Sequence, residues 1–287
     1  MSSLIEFFSD FRGKRILYYP NPGNAGDSFI TVSTIDFFRK NNIDFEIFYG
    51  GNVKNSVIVY GGGGSFWTGS SVPLDFLRKY SPCELGNVVV VLPQTFWGNE
   101  DLFSIMGENV HFFCREKISF EYMKNICVNA KTYLDQDMAF YMDVEDWLSR
   151  HSLSSLFFGS PSRLLKAVRR WFLYKKVAGS GDVLTVVRTD REKAEHDWGD
   201  LSNSVDLSRV FSLGTKKESY ANVSAWFFLN FINKFKVVKT DRLHVAIAAA
   251  MLGKNVTMYG NAYFKSKAIF DHSIDEKFKN VKFQDGA

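Results

Sequence analysis

The strongest constraint on the fold is a repeated pattern in the first half of the chain. Short continuous runs of β-branched and aromatic residues each end in glycine or polar residues, and helical stretches alternate with them. Residues 15–19, 56–60, 88–92, 110–114 and 130–134 are such runs. Strands apolar on both faces belong to parallel sheets covered by helices, so the pattern predicts a doubly wound α/β sheet. Residues 182–187, 235–239 and 255–259 repeat it in the second half. With 287 residues the chain is long enough for two such domains.

Composition narrows the class. Hydrophobic residues make up 46% and charged residues 23%, as in soluble globular proteins. The net charge of +4 is too mild to point to nucleic acid. Cys83, Cys114 and Cys127 form no Cys-x-x-Cys pair, which argues for a reducing compartment. The N-terminal residues lack the apolar core of a signal peptide, and no apolar run nears the ~20 residues that span a bilayer. The expected location is the cytoplasm. The 28 phenylalanines must fill cores or line a sugar-stacking cleft.

In an open α/β sheet, ligands bind past the carboxyl ends of the strands. The first strand runs into Asn24-Ala25-Gly26-Asp27, where Asp27 or Ser28 is expected to cap a helix reaching Lys40. This is a ligand-binding corner or a plain tight turn. Gly61-Gly62-Gly63-Gly64 ends the next strand and allows close backbone approach, which makes Gly62 and Gly63 candidates. Gln94 follows the third strand, and Arg115 the fourth. Trp67 and Trp97 are packing residues or platforms for a sugar ring.

Between residues 144 and 181 the pattern changes. The stretch 163–176 starts at Arg163, ends at Lys176 and contains no acidic residue. It predicts a basic amphipathic helix with Leu164, Leu165, Val168, Trp171 and Phe172 on one face. Such a helix packs between domains, or lies on an anionic membrane surface.

Near the C-terminus, Lys239-Thr240-Asp241-Arg242-Leu243-His244 joins a strand to a helix closed by Gly253. Asp241 is the expected N-cap, placing Arg242 and His244 in a first turn whose N–H groups favour an anion. With Arg115, Arg188 and Lys265, these residues suit a small, highly charged ligand such as a phosphate ester that also carries a carboxylate. The simpler alternative is that Arg242 pairs with Asp241 and His244 is a packed ring.

The blocks Asn24–Asp27, Gly61–Gly64, Arg115 with Ser119, Asp135–Asp137, Arg188 and Thr240–His244 resemble the polysaccharide pyruvyl transferase family across roughly residues 19–270. The resemblance implies two Rossmann-like domains facing a cleft, as in the GT-B glycosyltransferases. Residues 1–143 would form the acceptor side, 144–181 a basic helical linker, and 182–287 the donor side. It also implies transfer of a pyruvyl group from phosphoenolpyruvate to a sugar diol, giving a cyclic ketal and phosphate. Arg188 and Arg242 would bind the donor's phosphate and carboxylate, and His244 would be the acid/base. Leu243 and Lys265 would line the same site. Phosphoenolpyruvate is then a co-substrate, with no resident cofactor or metal, and the acceptor is a sugar or a lipid-linked oligosaccharide. The basic helix would add peripheral contact at the inner membrane face.

Three other functions stay open. One is a nucleotide-sugar glycosyltransferase of the same fold. The second is a metal-dependent one using Asp135-Gln136-Asp137 as an Asp-x-Asp motif. The third is a non-catalytic glycan-binding protein.

Overall fold

The computed structural model describes residues 4–67, 71–179, 181–190, 194–198 and 201–285. The chain divides into two compact units. One comprises the residues up to Asn21 together with Ser33–Tyr141; the other comprises Pro22–Val32 together with the chain from Met142 onward.

In the first unit, helix α1 (Leu4–Ser9) precedes strand β1 (Ile16–Tyr19), and helix α2 (Ala25–Lys40) contributes its C-terminal half. There follow β2 (Phe45–Ile47), β3 (Val57–Tyr60), β4 (Gly63–Phe66), α3 (Ser71–Tyr80) and β5 (Val88–Phe96). The unit closes with α4 (Glu100–Ser104), β6 (Val110–Cys114), α5 (Lys117–Ile126) and β7 (Lys131–Leu134). The sheet runs β2-β1-β3-β5-β6-β7, with β4 beside β5, and every pairing is parallel. Successive side chains leave on opposite faces. Ile58, Tyr60, Val89, Val91 and Phe112 therefore share a core with Phe76 and Phe103. On the α1 side, Phe7 packs edge-on against Phe113 at 5.1 Å and Phe8 against Phe38 at 5.5 Å. The abundant phenylalanines thus fill both faces of this sheet.

Strand β5 is longer than its sequence suggests. Pro93 cannot donate to the ladder, and the pairing with β6 shifts between Val91 and Gln94. The strand bulges there and continues to Phe96.

The second unit starts with three helices, α6 (Val144–Arg150), α7 (Leu153–Gly159) and α8 (Pro161–Val177). The residues read as a linker therefore lie within this unit. Strand β8 (Val183–Val186), helix α9 (Leu207–Val210), α10 (Glu218–Asn233), β9 (Val237–Thr240) and α11 (Leu243–Met251) come next. Strand β10 (Asn255–Tyr259), α12 (Lys265–Ile269), which runs on as a π turn, and β11 (Val281–Gln284) complete it. The sheet order is β11-β10-β9-β8, all parallel. Ahead of α9, Val205 N–H donates to the Thr185 carbonyl at 3.1 Å.

Helix α8 departs from its expected face. Trp171 does pack on Phe211, Phe227 and Phe231, with ring centroids 5.2–6.3 Å apart, and Leu164 is buried. Leu165 and Phe172, however, are each 65% exposed. The side chains that hold α8 down on its polar flanks are basic. Arg170 donates to the Val210 carbonyl at 2.6 Å, and Arg163 lies 4.3 Å over the Tyr220 ring.

Candidate functional site

Because β8, β9 and β10 are parallel neighbours, the segments leaving their C-terminal ends lie side by side. Those segments carry Arg188, Asp241-Arg242 and Asn261. Asp241 is fully buried, and its Oδ1 accepts the backbone N–H of Arg188 at 2.8 Å. Burial pushes its carboxyl above the usual range, and the Arg188 N–H and the two guanidiniums pull back against this. The expected cap is thereby corrected. Asp241 joins two strand ends instead of capping, and Arg242 is the N-cap residue of α11, with its carbonyl accepting from Val245 and Ala246 at 3.0 Å.

The two arginines meet on one carboxylate. Arg188 Nε donates to Asp190 Oδ1 at 2.9 Å, and Arg242 Nη1 lies 2.7 Å from Asp190 Oδ2. Arg242 is also gripped by Asp206, through Nε to Oδ1 at 3.0 Å and Nη2 to Oδ2 at 2.5 Å. Burial opposes the Arg242 charge, but Asp206 and Asp190 outweigh it and hold its pKa above the ordinary value. Asp206 further accepts both the backbone N–H and the hydroxyl of Thr189, at 3.1 and 2.9 Å. One carboxylate thus fixes Arg242 and the loop that bears Arg188. Bidentate, charge-assisted pairs of this kind set orientation as well as energy. Asn261 adds a third tie, accepting from Arg188 Nη1 at 2.5 Å and donating to the Asp241 carbonyl at 2.8 Å.

His244 stands at the second position of α11 and is partly exposed. The start of α2 passes directly against it. A β-carbon on Gly26 would fall 2.7 Å from His244 Nδ1 and 2.9 Å from its Cβ. Only glycine lets the two helix starts approach so closely. Gly26→Ala is expected to push the imidazole aside, costing about 1–3 kcal/mol of stability and about 100-fold in turnover. Urea denaturation and steady-state rates check this; a variant equal to wild type in both would mean that the contact is slack.

Asn24 and Asp27 fix that start of α2. Asn24 Oδ1 accepts from Gly26 N–H, and Asp27 Oδ2 reaches back to Asn24 N–H, both at 2.8 Å. This reciprocal cap sits on Asn24, three residues before the expected cap at Asp27. Lys265, 8% exposed, opens α12 with its Nζ 4.8 Å from the Tyr263 ring centroid, and Leu243 is buried at the head of α11. The second unit therefore brings together Arg188, Arg242, Leu243 and His244, with Asn24 and Asp27 behind Gly26. Lys265 adjoins Ser266, which is in bonding reach of Asn261.

The remaining candidates belong to the first unit. Arg115 is 1% exposed, pairs with Asp137 at 2.6 Å and donates to Thr95 Oγ1 at 2.9 Å. Gln94 is fully buried, donates to the Gly61 carbonyl at 2.7 Å and accepts Ser65 N–H at 2.9 Å, so it stitches the glycine turn shut. Gly63 has φ of +138°, and Gly62 precedes it in that turn. Asp137 also accepts Ala139 N–H, while Asp135 accepts the Tyr141 hydroxyl at 2.6 Å. Among the described residues no group of three or more His, Cys, Asp or Glu side chains could hold a metal ion. Trp97 stacks between Tyr122 and Trp67, at 4.9 and 6.4 Å.

Asp190, Asp206, Gly26 and Asn261 were not singled out from the sequence. The Arg-x-Asp spacing of Arg188 and Asp190 was a local signal; Asp206, 36 positions from Arg242, gave none.

The polysaccharide pyruvyl transferase family model matches residues 24–263, which includes Gly26, Arg188, Asp190, Asp206, Arg242, His244 and Asn261. The chain belongs to this family. Membership supports a pyruvyl transferase role in polysaccharide biosynthesis. A Bacillus subtilis (strain 168) protein named "Putative pyruvyl transferase EpsO" is 25% identical over 295 residues, covering 88% of this chain and 82% of that one. Among solved structures, a functionally uncharacterized protein from Klebsiella pneumoniae subsp. pneumoniae NTUH-K2044 matches with a TM-score of 0.74 and 30% identity. That match covers 97% of this chain and 95% of that one. Within the matched region, Arg242 and the partly exposed His244 share the β9–α11 junction, and Arg188 reaches Asp190 beside them from the end of β8.

Proposed function

We propose that this pyruvyl transferase moves a pyruvyl group from phosphoenolpyruvate to two hydroxyls of a sugar in a glycan precursor, forming a cyclic ketal and phosphate. The observation that carries the reading is the convergence of Arg188 and Arg242 on the Asp190 carboxylate beside His244. Two guanidiniums already arranged around one carboxylate offer the fork geometry that a carboxylate-bearing phosphate ester requires. Asp190, with 39% of its side chain exposed, can yield that place to a donor, whereas the buried Asp206 keeps Arg242 oriented.

In this mechanism His244 delivers a proton to C3 of the enol, and C2 becomes electrophilic. A first sugar hydroxyl adds to C2 and passes its proton to His244, restoring the imidazole that protonated C3. The second hydroxyl displaces phosphate from C2, and its proton leaves with that phosphate. The guanidiniums neutralise the departing group. One proton ends in the new methyl group and one on phosphate, so the exchange balances. The same proposal keeps the GT-B-like arrangement, the first unit as acceptor side and the second as donor side.

The test is phosphate release from phosphoenolpyruvate with galactoside, glucoside or mannoside acceptors, with and without EDTA. Release that needs both substrates and survives the chelator is expected. Turnover of a nucleotide sugar instead, dependence on added metal, or glycan binding with neither donor consumed would each replace this reading with one of its rivals.

A further inference from the structure

Helix α8 has a second face that no described residue of its own unit covers. Leu165 and Phe172 are 65% exposed and Leu173 56%. At 100° per residue these three lie on one side of the helix, interleaved with Lys166, Arg169 and Lys176, which are also exposed. Helix α7 leads into α8 through Ser160 alone, and it adds Phe157 and Phe158, 47% and 85% exposed. A large aromatic side chain left so open is uncommon on a solvated surface, and here several adjoin one another.

The charge around these apolar side chains decides what they fit. Between Asp146 and Asp182 the sequence holds no acidic residue. A groove of about 500 Å³ lies at the C-terminal end of α8, with Lys175 on one side and Lys234, Asn230 and Asn233 on the other. Its cations and amide groups can receive a phosphate headgroup. No described helix is long and apolar enough to cross a membrane, so attachment would be at the surface.

We infer that the exposed face of α8, with the α7 aromatics, docks on a bilayer bearing anionic phospholipid. Leu165, Phe172 and Leu173 enter the acyl boundary while Lys166, Arg169, Lys175 and Lys176 meet the headgroups. A second protein copy fits less well, because it would set like charges against each other. The inference does not depend on the pyruvyl donor or on turnover.

The test is co-sedimentation of the full chain with vesicles of phosphatidylcholine alone or with 30% phosphatidylglycerol, a composition of about one anionic lipid in three. Binding only to the anionic vesicles, weakening as salt rises, is expected. Lys166→Glu/Arg169→Glu/Lys176→Glu should lower partitioning about 100-fold or more, and Phe172→Ser/Leu173→Ser should also release the protein. Both sets leave the site around Arg242 untouched, so circular dichroism and phosphate release should match wild type. Equal binding to neutral vesicles, indifference to either set, or a shift from dimer to monomer without vesicle binding would overturn the inference.

Discussion

Replacing His244 with alanine is expected to lower phosphate release from phosphoenolpyruvate by about 10²–10⁴-fold, the range for loss of a positioned acid/base. The melting temperature should stay within about 3 °C of wild type. The small stability cost follows from the surroundings. The residue is partly exposed although its Nε2 is buried, and its removal opens space against Gly26 without straining the backbone. Arg188, Arg242, Asp190 and Asp206 keep their mutual bonds in the variant, so phosphoenolpyruvate should still bind. A variant that unfolds, or one that turns over at the wild-type rate, would return His244 to the role of a packed ring.

The largest stability effect is expected in the first unit. Asp137→Ala leaves the Arg115 guanidinium, 1% exposed, without its carboxylate, and should cost about 3–5 kcal/mol. The pair joins the end of β6 to the turn after β7, with Thr95 of β5 as the third anchor. The Asp137 carboxylate also receives the Ala139 N–H, which would lose its acceptor. Urea denaturation measures the effect. A loss below about 1 kcal/mol would mean that water reaches Arg115 and that the pair is a surface feature.

The sequence made most strands of both sheets legible because their apolar runs are continuous, while the three-residue β2 and the glycine-led β4 gave no such run. Asn255–Tyr259 was located to the residue. Strand β11 escaped because it is an edge strand of four residues with alternating exposure, a pattern too short to stand out. Strand β5 was cut short at Pro93, since a missing N–H usually ends a central strand and here makes a bulge. The face of α8 was misjudged because 3.6-residue spacing says which side chains share a side, not which side finds a partner. Leu165 and Phe172 stay exposed among the described residues of their unit.

At the site, residue types and strand-end positions pointed to Arg188, Arg242 and His244, but not to how the charges are balanced. The arginines looked like a bare cationic cluster, whereas Asp190 and Asp206 already neutralise much of it. In the simpler alternative Arg242 pairs with its neighbour Asp241, yet that carboxylate faces the Arg188 backbone. Arg115 and Gln94 carried the same polar, strand-end signature as Arg188 and Arg242. The structure shows them buried and bonded within the first unit, and burial cannot be read from position alone.

The most direct measurement is product analysis with phosphoenolpyruvate labelled with carbon-13 at C2. The full chain, a sugar diol and the labelled donor are combined, and carbon and phosphorus spectra are recorded together. A labelled quaternary ketal carbon should appear in step with free phosphate, and not in the His244→Ala variant. Phosphate without a ketal signal, or a ketal formed equally well without His244, would contradict a proton-moving histidine beside a paired-arginine donor site.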